Sequence, residues 1–584
     1  MKFLRNLLAA ILGTLIALGI LFFVFAGIGA AMGQKDKIVV KPNSVLALKL
    51  EGEVKDYVPK SESPFDQIFK DLNPQFQLSE VLTAIDHAKT DDNIKGISIE
   101  LNQSMIGMAQ LQALRDKLLE FKESGKFVSA FADNYSQKNY YLSSVADSLF
   151  INPVGVLEFQ GLTSERLYFK DFQEKYGVKM EVIRHGKYKS AMEGFISDKM
   201  SDANREQTLS FLGSIWDEII EDIGMSRGKN MQELNTVADE VGTRTLALAK
   251  DNNMIDNVAY LDEYRSKLAS WTGAETMEDL NMITMKNYLN SGKGRVVSTA
   301  KDKVAILYAQ GDIMYGEGDE TFIGQEAMVK AIRDIKKDDR IKAVVMRVNS
   351  PGGSGLASDI ILRELDLLKQ EKPLVVSMGN LAASGGYYIA CKADRIFAEP
   401  TTITGSIGVF GAIPNVKGLA DNMGINAEQV STNKGPHYSV FEPMDQEFHD
   451  VIKGYIDDFY QTFIGHVAEG RNMTKEAVDA IGQGRVWTGK EALEIGLVDE
   501  LGHLQNAVDY AAKMAELDTY KTTSYPRYKK DLEDMFSKNP LMDSKADVIK
   551  ETLGEENYKV YQTLENFKKM EGVQARMPYE LIIK

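Results

Sequence analysis

A duplication inside the chain restricts its possible folds more than any other feature. Asp91-Asp92-Asn93-Ile94-Lys95 returns as Asp338-Asp339-Arg340-Ile341-Lys342, an offset of 247 residues. The same offset, without a gap, pairs Asn102 with Asn349, Tyr140-Tyr141 with Tyr387-Tyr388, Ala146-Asp147 with Ala393-Asp394, Phe150 with Phe397 and Pro153 with Pro400. Chance seldom preserves so many identities in one register, so two copies of one fold are expected. A strand-like run at 44–50 before Gly52 returns at 303–309 before Gly311, now at an offset of 259; the first copy thus carries about twelve extra residues between Gly52 and Asp91. Both copies alternate strand-like and helix-like segments, which predicts an α/β architecture with helices covering a mainly parallel sheet. At 584 residues the chain has room for both cores. The boundaries read from it are an anchor at 1–34, an N-terminal repeat at 35–286, a linker at 287–302 containing S-G-K-G-R, a C-terminal repeat at 303–515 and a charged, helix-prone tail at 516–584.

The copies diverge where chemistry would sit. The second reads N-S-P-G-G-S-G at 349–355, M-G-N-L-A-A-S-G-G-Y-Y at 378–388 and T-G-S-I-G at 404–408. Apolar runs at 343–348 and 373–378 read as buried strands, and Ile361, Leu365 and Leu368 between them recur at the spacing of one helix face. Each glycine cluster therefore falls where a strand hands over to a helix. Such turns expose backbone N–H groups, and the helix dipole favours negative charge there. Gly352-Gly353 thus become candidates for an oxyanion hole, with Ser384 as the attacking hydroxyl. Taken singly, each motif reads first as a tight turn or a helix cap rather than as chemistry; together they hold the parts that acyl transfer needs. Opposite Ser384 the first copy has Gln137, and opposite Gly352-Gly353 it has Met105-Ile106. It has kept the scaffold and lost the nucleophile.

Composition removes several function classes. A net charge of −16 argues against nucleic-acid binding and against strong attraction to anionic lipid. The single cysteine, Cys391, rules out an internal disulfide and a cysteine-built metal site, and its place in a predicted helix suits a buried core thiol. Six scattered histidines without H-E-x-x-H argue against a zinc hydrolase, and the absence of G-x-S-x-G argues against an α/β-hydrolase. No Walker motif is present. At the N-terminus, Lys2 and Arg5 precede a charge-free apolar run at 7–32, long enough to cross a bilayer. A cleavable signal peptide has an apolar region of only about 7–15 residues, so an uncleaved anchor is expected despite the small residues at 29–31. Positive charge before the helix should keep the N-terminus cytoplasmic and send the rest across as a single-pass protein.

A serine nucleophile needs a base. His437, His449 and His466 follow Ser384 but lack a recognisable triad setting, and spacing alone does not locate triad partners. The other option is a lysine whose burial lowers its pKa. H-G-K-Y-K-S-A-M-E at 185–193 follows a strand-like run at 180–183. Alone it reads as a solvated basic patch, and Lys187 and Lys189 would share a face of an extended segment. Spacing does not choose between them.

The single anchor, the duplication, Y-K-S-A at 188–191, N-S-P-G-G, A-A-S-G-G-Y-Y and T-G-S-I-G together resemble the signal peptide peptidase A family, and within it the long two-repeat bacterial form, protease IV. The likeness runs to about residue 515. It implies tandem ClpP/crotonase-like repeats behind one transmembrane helix, assembled as a membrane-anchored homo-oligomer, a tetramer by resemblance. It also implies a serine endopeptidase with a Ser/Lys dyad: Ser384 as nucleophile, Lys189 as base, Ser406 orienting the lysine, and Gly352 and Gly353 as the oxyanion hole. No metal or other cofactor is implied. The implied substrates are hydrophobic signal-peptide remnants left after preprotein processing, and the implied location is the bacterial inner membrane with the body on the periplasmic side. One departure stands out: the family's Y-K-S-A-x-E-P-F has Gly194 in place of its proline. Two other classes compete. A crotonase-type acyl-CoA enzyme would use similar backbone donors, but its chemistry fits poorly outside the cytoplasmic membrane. An inert membrane scaffold would not need Ser384, Lys189 and the glycine turns together.

Overall fold

The structure, a computed structural model, describes residues 5–6, 12–20, 23, 38–59, 75–101, 104–295, 298–528 and 573–576. Two mainly parallel sheets carry the chain, and six strands of each lie in matching order. In the first, the strands lie side by side as Met282–Thr284, Ser44–Leu48, Ile94–Ile99, Phe127–Ala132, Ser148–Ile151 and Asn257–Val258. In the second they run Lys521–Tyr525, Lys303–Gln310, Ile341–Ser350, Leu374–Ala383, Arg395–Ala398 and Glu500–Leu501. Both therefore have the same strand order, and all of these pairs are parallel. Helices Leu78–Thr90 and Met108–Lys122 return as Gln325–Lys337 and Gly355–Lys369, again displaced by 247 residues. The central strands are apolar nearly throughout because helices cover both sheet faces: all five residues of Ser44–Leu48 are buried, as are the first seven of Lys303–Gln310. The expected α/β architecture in two repeats is present.

Two sequence expectations change. The second repeat does not stop at 515. Lys521–Tyr525 is its edge strand, parallel to Lys303–Gln310 just as Met282–Thr284 is to Ser44–Leu48. K-T-T-S-Y carries little apolar signal because an edge strand is only partly covered. The stretch expected to be a helical tail also supplies a second strand, Gln574–Arg576. The expected anchor lies largely outside the described residues, as does Asn102 of the repeat. Residues 12–20 are helical, with Leu12, Leu15, Ile16, Leu18 and Ile20 exposed, and among the described residues no helix is long and apolar enough to cross a membrane.

The halves are stitched together in three ways. A mixed sheet joins Lys179–His185 of the first repeat antiparallel to Val409–Asn415 of the second, with Val409 opposite His185 and Asn415 opposite Lys179. A buried ion pair crosses the interface: Asp56 accepts from Arg347 Nε at 2.8 Å, from Asn349 Nδ2 at 2.6 Å and from Gln110 Nε2 at 3.3 Å. Arg347 also donates to Ser377 Oγ and the Met378 carbonyl. Third, His503 lies between Glu399 at 2.8 Å and Asp116 of the first repeat at 3.0 Å. Burial opposes its charge, but the two carboxylates outweigh that and push it up to about 10, so it is an imidazolium across the neutral range.

Asp56→Ala would leave the Arg347 guanidinium in the interface without its carboxylate. Stability measured by chemical denaturation should fall by about 3–5 kcal/mol. A loss below about 1 kcal/mol, the range of exposed pairs, would show that this ion pair does not hold the halves.

Candidate active site

Strand Leu374–Ala383 ends at Ser384, and helix Gly385–Ala390 begins one residue later. To make this turn Ser384 takes φ 56° and ψ −114°, a conformation that L-residues avoid and that costs on the order of 1–3 kcal/mol. Its N–H donates to the Gly405 carbonyl at 2.8 Å and its own carbonyl accepts from Tyr388 N–H at 2.8 Å. The glycines that follow are obligatory for space. A Cβ on Gly386 would come within 2.7 Å of the Ser350 carbonyl oxygen, and one on Gly385 within 2.8 Å of Ser358 Oγ.

Lys189 arrives from the other repeat along the mixed sheet. The strand ends at His185, and a turn in which Lys189 N–H donates to the Gly186 carbonyl at 3.3 Å then carries the lysine to Ser406. The loop that follows is tied down at each step. Tyr188 N–H donates to the Gln483 carbonyl, Gln207 Nε2 to the Tyr188 carbonyl, and Ser190 Oγ to Asn204 Oδ1. Gly484 lies against the lysine backbone; a Cβ there would be 2.6 Å from Lys189 N. Gly194, where the family pattern has proline, would bring a Cβ within 2.8 Å of the Leu167 carbonyl oxygen.

Lys189 Nζ lies 2.8 Å from Ser384 Oγ, 3.1 Å from the Ser406 carbonyl oxygen and 3.1 Å from Ser406 Oγ. The lysine is 1 % exposed, and Ser384 and Ser406 are fully buried. Burial pushes the lysine pKa well below the usual 10.5, because a charged ammonium is poorly solvated there. Ser406 has φ 49° directly after Gly405 at φ 74°. That kink turns its carbonyl and hydroxyl onto the same amine.

The sequence candidates now separate. Lys187 is exposed and its Nζ is 3.3 Å from Tyr188 Oη. His437 is exposed, while His449 is beside Asp450 and His466 beside Asp359. No histidine among the described residues is hydrogen-bonded to Ser384. Gln137, the counterpart of Ser384, pins a loop: its Oε1 accepts from Gln160 and Gly161 N–H at 3.1 Å each, and its Nε2 donates to the Gly161 carbonyl. Cys391 is buried, and burial raises its thiol to about 12.

Gly352 and Gly353 lie beside the serine turn, with one qualification. Gly352 N–H is already donated to Ser350 Oγ at 3.2 Å. A Cβ on Gly352 would come 2.6 Å from Gly385 N, so these two backbones nearly touch. Gly385, first residue of its helix, has an N–H in the turn that lacks an intrahelical acceptor. Sequence reading missed Gly385 and Gly484. The first carries a signal, since it directly follows the serine; the second carries none, because only the tertiary structure sets it against Lys189.

The chain matches the model of a protein family described as Peptidase family S49, at residues 120–275 and 366–518, once in each repeat. It is 32 % identical over 525 residues to Protease 4 of Haemophilus influenzae, covering 85 % of this chain and 83 % of that protein. It is 34 % identical to Protease 4 of Salmonella typhi, covering 86 % and 84 %. It is 30 % identical to the chloroplastic serine protease SPPA of Arabidopsis thaliana, covering 82 % and 71 %.

The depressed lysine has a consequence for stability. Between its lowered pKa and 10.5 the unfolded chain holds a proton on Lys189 that the folded chain does not. Folding stability therefore rises with pH across that window. Lys189→Met abolishes the titration, so the melting temperature of the variant minus that of the wild type should decrease as pH rises toward 10.5. A difference independent of pH would mean that the buried lysine keeps its proton.

Proposed function

We propose that this chain, which belongs to peptidase family S49 and is a serine peptidase, cuts peptide bonds with Ser384 as nucleophile and Lys189 as general base. The observation that carries the reading is the 2.8 Å separation of Nζ and Oγ around a lysine that is 1 % exposed. A neutral amine has two N–H donors and one lone pair. The carbonyl and hydroxyl oxygens of Ser406 accept the two donors, which leaves the lone pair facing the Ser384 hydroxyl. Ser406 is thus the positioning residue.

In the forward step Ser384 Oγ attacks the scissile carbonyl while its proton passes to Lys189 Nζ. The oxyanion forms beside the glycine turn. Gly353 and Gly385 offer the N–H donors in this reading, whereas Gly352, its own N–H taken up by Ser350, leaves the space that a Cβ would fill. Lys189 then returns the proton to the leaving amine, and water takes the same route to release the acyl group. The acyl-CoA alternative has no comparable support, because a crotonase-type site needs the backbone donors but not a buried lysine at a serine.

We further read the chain as an endopeptidase of remnant signal peptides, anchored in the bacterial inner membrane by 1–34 with its body on the periplasmic side and assembled as a homo-oligomer. The exposed apolar helical residues at 12–20 support the anchor. An extended apolar peptide suits a cleft flanked by strand backbones, where main-chain pairing supplies affinity and small pockets supply selectivity.

Kinetics on a fluorogenic peptide test the dyad. Ser384→Ala and Lys189→Ala should each lower kcat/KM by about four orders of magnitude, and Lys189→Arg should not rescue, since guanidinium stays protonated. Ser406→Ala should lose on the order of 10–100-fold, while Lys187→Ala and Gln137→Ala stay near wild type. Because only the neutral amine accepts a proton, wild-type kcat/KM should rise with pH through the lowered lysine pKa and then level off. A folded Lys189→Ala enzyme that works beside a dead His437→Ala enzyme would replace the dyad with a serine–histidine mechanism.

Protease added to spheroplasts tests the topology. The body should be digested while the inner membrane stays sealed. A protected C-terminal portion would overturn this orientation.

A further inference from the structure

Four buried side chains, Ser190, Glu193, Asn204 and Gln207, form a run of hydrogen bonds beside the base. Ser190 and Glu193 follow Lys189 in the chain, and Asn204 and Gln207 lie on helix Asp202–Arg227. Val486 N–H, from the second repeat, donates to Gln207 Oε1 at 3.3 Å. Gln207 Nε2 donates to the Tyr188 carbonyl at 3.0 Å and to Ser190 Oγ at 3.1 Å, with Asn204 Oδ1 also at 3.1 Å. Ser190 Oγ donates to Asn204 Oδ1 at 3.0 Å, and Asn204 Nδ2 to Glu193 Oε2 at 2.5 Å. The other carboxylate oxygen of Glu193 accepts from Ser201 N–H at 3.1 Å. A backbone N–H can only donate and a carboxylate can only accept, so the run has one direction and the Gln207 amide one orientation. That amide spans the two halves of the dyad. On one side it holds the residues before and after Lys189. On the other it holds Val486, which lies opposite Gly405 in the sheet and directly follows Arg485, whose carbonyl accepts Ser406 N–H at 2.7 Å. Helix Gln446–Arg471 of the second repeat also has 26 residues; matched end to end, it puts Val451 at this position, 40 % exposed. The buried amide is peculiar to the repeat that supplies the base.

We propose that Gln207 is a further positioning residue of the peptidase reaction, a role that rests on the dyad proposed above. Its amide sets Lys189 against Ser406 and Ser384, and Glu193 sets the direction of the amide. Gln207 touches neither substrate nor reacting atoms, so it acts only through the lysine. Proton transfer needs the amine lone pair aligned with the serine hydroxyl, and a misplacement of about 1 Å costs on the order of a hundredfold in rate. Removing the amide also strips the Tyr188 carbonyl and Val486 N–H of a buried partner. Water that enters to satisfy them reaches the lysine and favours its ammonium form. One change therefore shifts the amine and raises the pH at which it becomes neutral. The charged groups packed around this loop are engaged elsewhere. Arg184 donates to the Lys189 carbonyl and Arg166 to the Ser190 carbonyl; Glu206 accepts from Tyr188 Oη and Arg485; His185 is 2.7 Å from Asp457, which also pairs with Lys453; and Lys187 is exposed beside Tyr188.

Hydrolysis of a fluorogenic peptide by the full chain, followed across pH, tests this role. Gln207→Met keeps the size of the side chain and removes the amide. Its kcat at neutral pH should fall by about a hundredfold while KM stays within about twofold of wild type, and the midpoint of the rise in kcat/KM should move to higher pH. A smaller folded fraction would scale activity equally at every pH, so a loss of kcat with an unmoved midpoint overturns positioning. Glu193→Gln, a milder change that keeps the shape, lets the run of hydrogen bonds reverse. It should lose about tenfold in kcat, again with the midpoint moved upward. Loss of a negative charge would by itself lower that midpoint, so a downward shift, or none, overturns the part assigned to Glu193. Lys189→Ala is measured alongside. If it is inactive while Gln207→Met matches wild type, positioning by Gln207 falls and the dyad stands. If Lys189→Ala keeps its activity, the dyad falls and the role of Gln207 falls with it.

Discussion

The buried approach of Lys189 Nζ to Ser384 Oγ makes demands that the rest of the structure meets. A lysine acts as a base near neutral pH only where its ammonium form is poorly solvated. One repeat offers a single wall, and a lysine on a single wall would reach water. The second wall comes from the other repeat, and the antiparallel pairing of Lys179–His185 with Val409–Asn415 sets the two in register. The Asp56–Arg347 pair and the His503 cluster act on the same interface from a distance. They are paired, hydrogen-bonded charges whose separation would strand a charge in the interface, which makes partial opening of the halves costly.

Local strain is concentrated on the same few residues. Ser384 and Ser406 both adopt positive φ without being glycine. Each is fixed by a backbone bond across the site: Ser384 N–H to the Gly405 carbonyl, and Ser406 N–H to the Arg485 carbonyl at 2.7 Å. The surrounding glycines serve a different purpose. Gly352, Gly386 and Gly484 are places where a Cβ would collide with backbone within 2.7 Å. The site is thus assembled from backbone brought closer than side chains permit, and its polar groups point into the small space that remains. Gln137 shows the same turn without this cost. In the first repeat the equivalent side chain has become a loop clamp, and the extended backbone before helix Gln137–Ser143 is unstrained.

The mixed sheet brings both repeats to the contact between Lys189 and Ser384. Its slot between Gly352–Ser354 and Val409–Asn415 is filled by Gln574–Arg576. Main-chain pairing beside Ser384 is thus set by the same sheet that joins the halves, and in the proposed mechanism such pairing positions a peptide at the serine.

The sequence alone determined the duplication, the α/β class, the replacement of Ser384 and Gly352-Gly353 by Gln137 and Met105-Ile106 in the first copy, and the turn at Ser384. All of these are local patterns: apolar periodicity, glycine clusters and a register that survives copying. For a base it left open three histidines and a short basic motif, and the choice of that motif and of Lys189 over Lys187 rested on family resemblance. Tertiary structure decided the rest, because the deciding quantities are properties of space between distant segments. Lys189 is buried and Lys187 exposed only because the strand before them pairs with a strand more than two hundred residues away. The edge strand Lys521–Tyr525 was illegible since an edge needs little apolar sequence, and Gly484 was illegible since its reason is the backbone of Lys189. Gln574–Arg576 is the extreme case. Three residues carry no periodicity, and their place beside Ser384 follows entirely from a ladder of backbone hydrogen bonds to which their side chains contribute almost no signal.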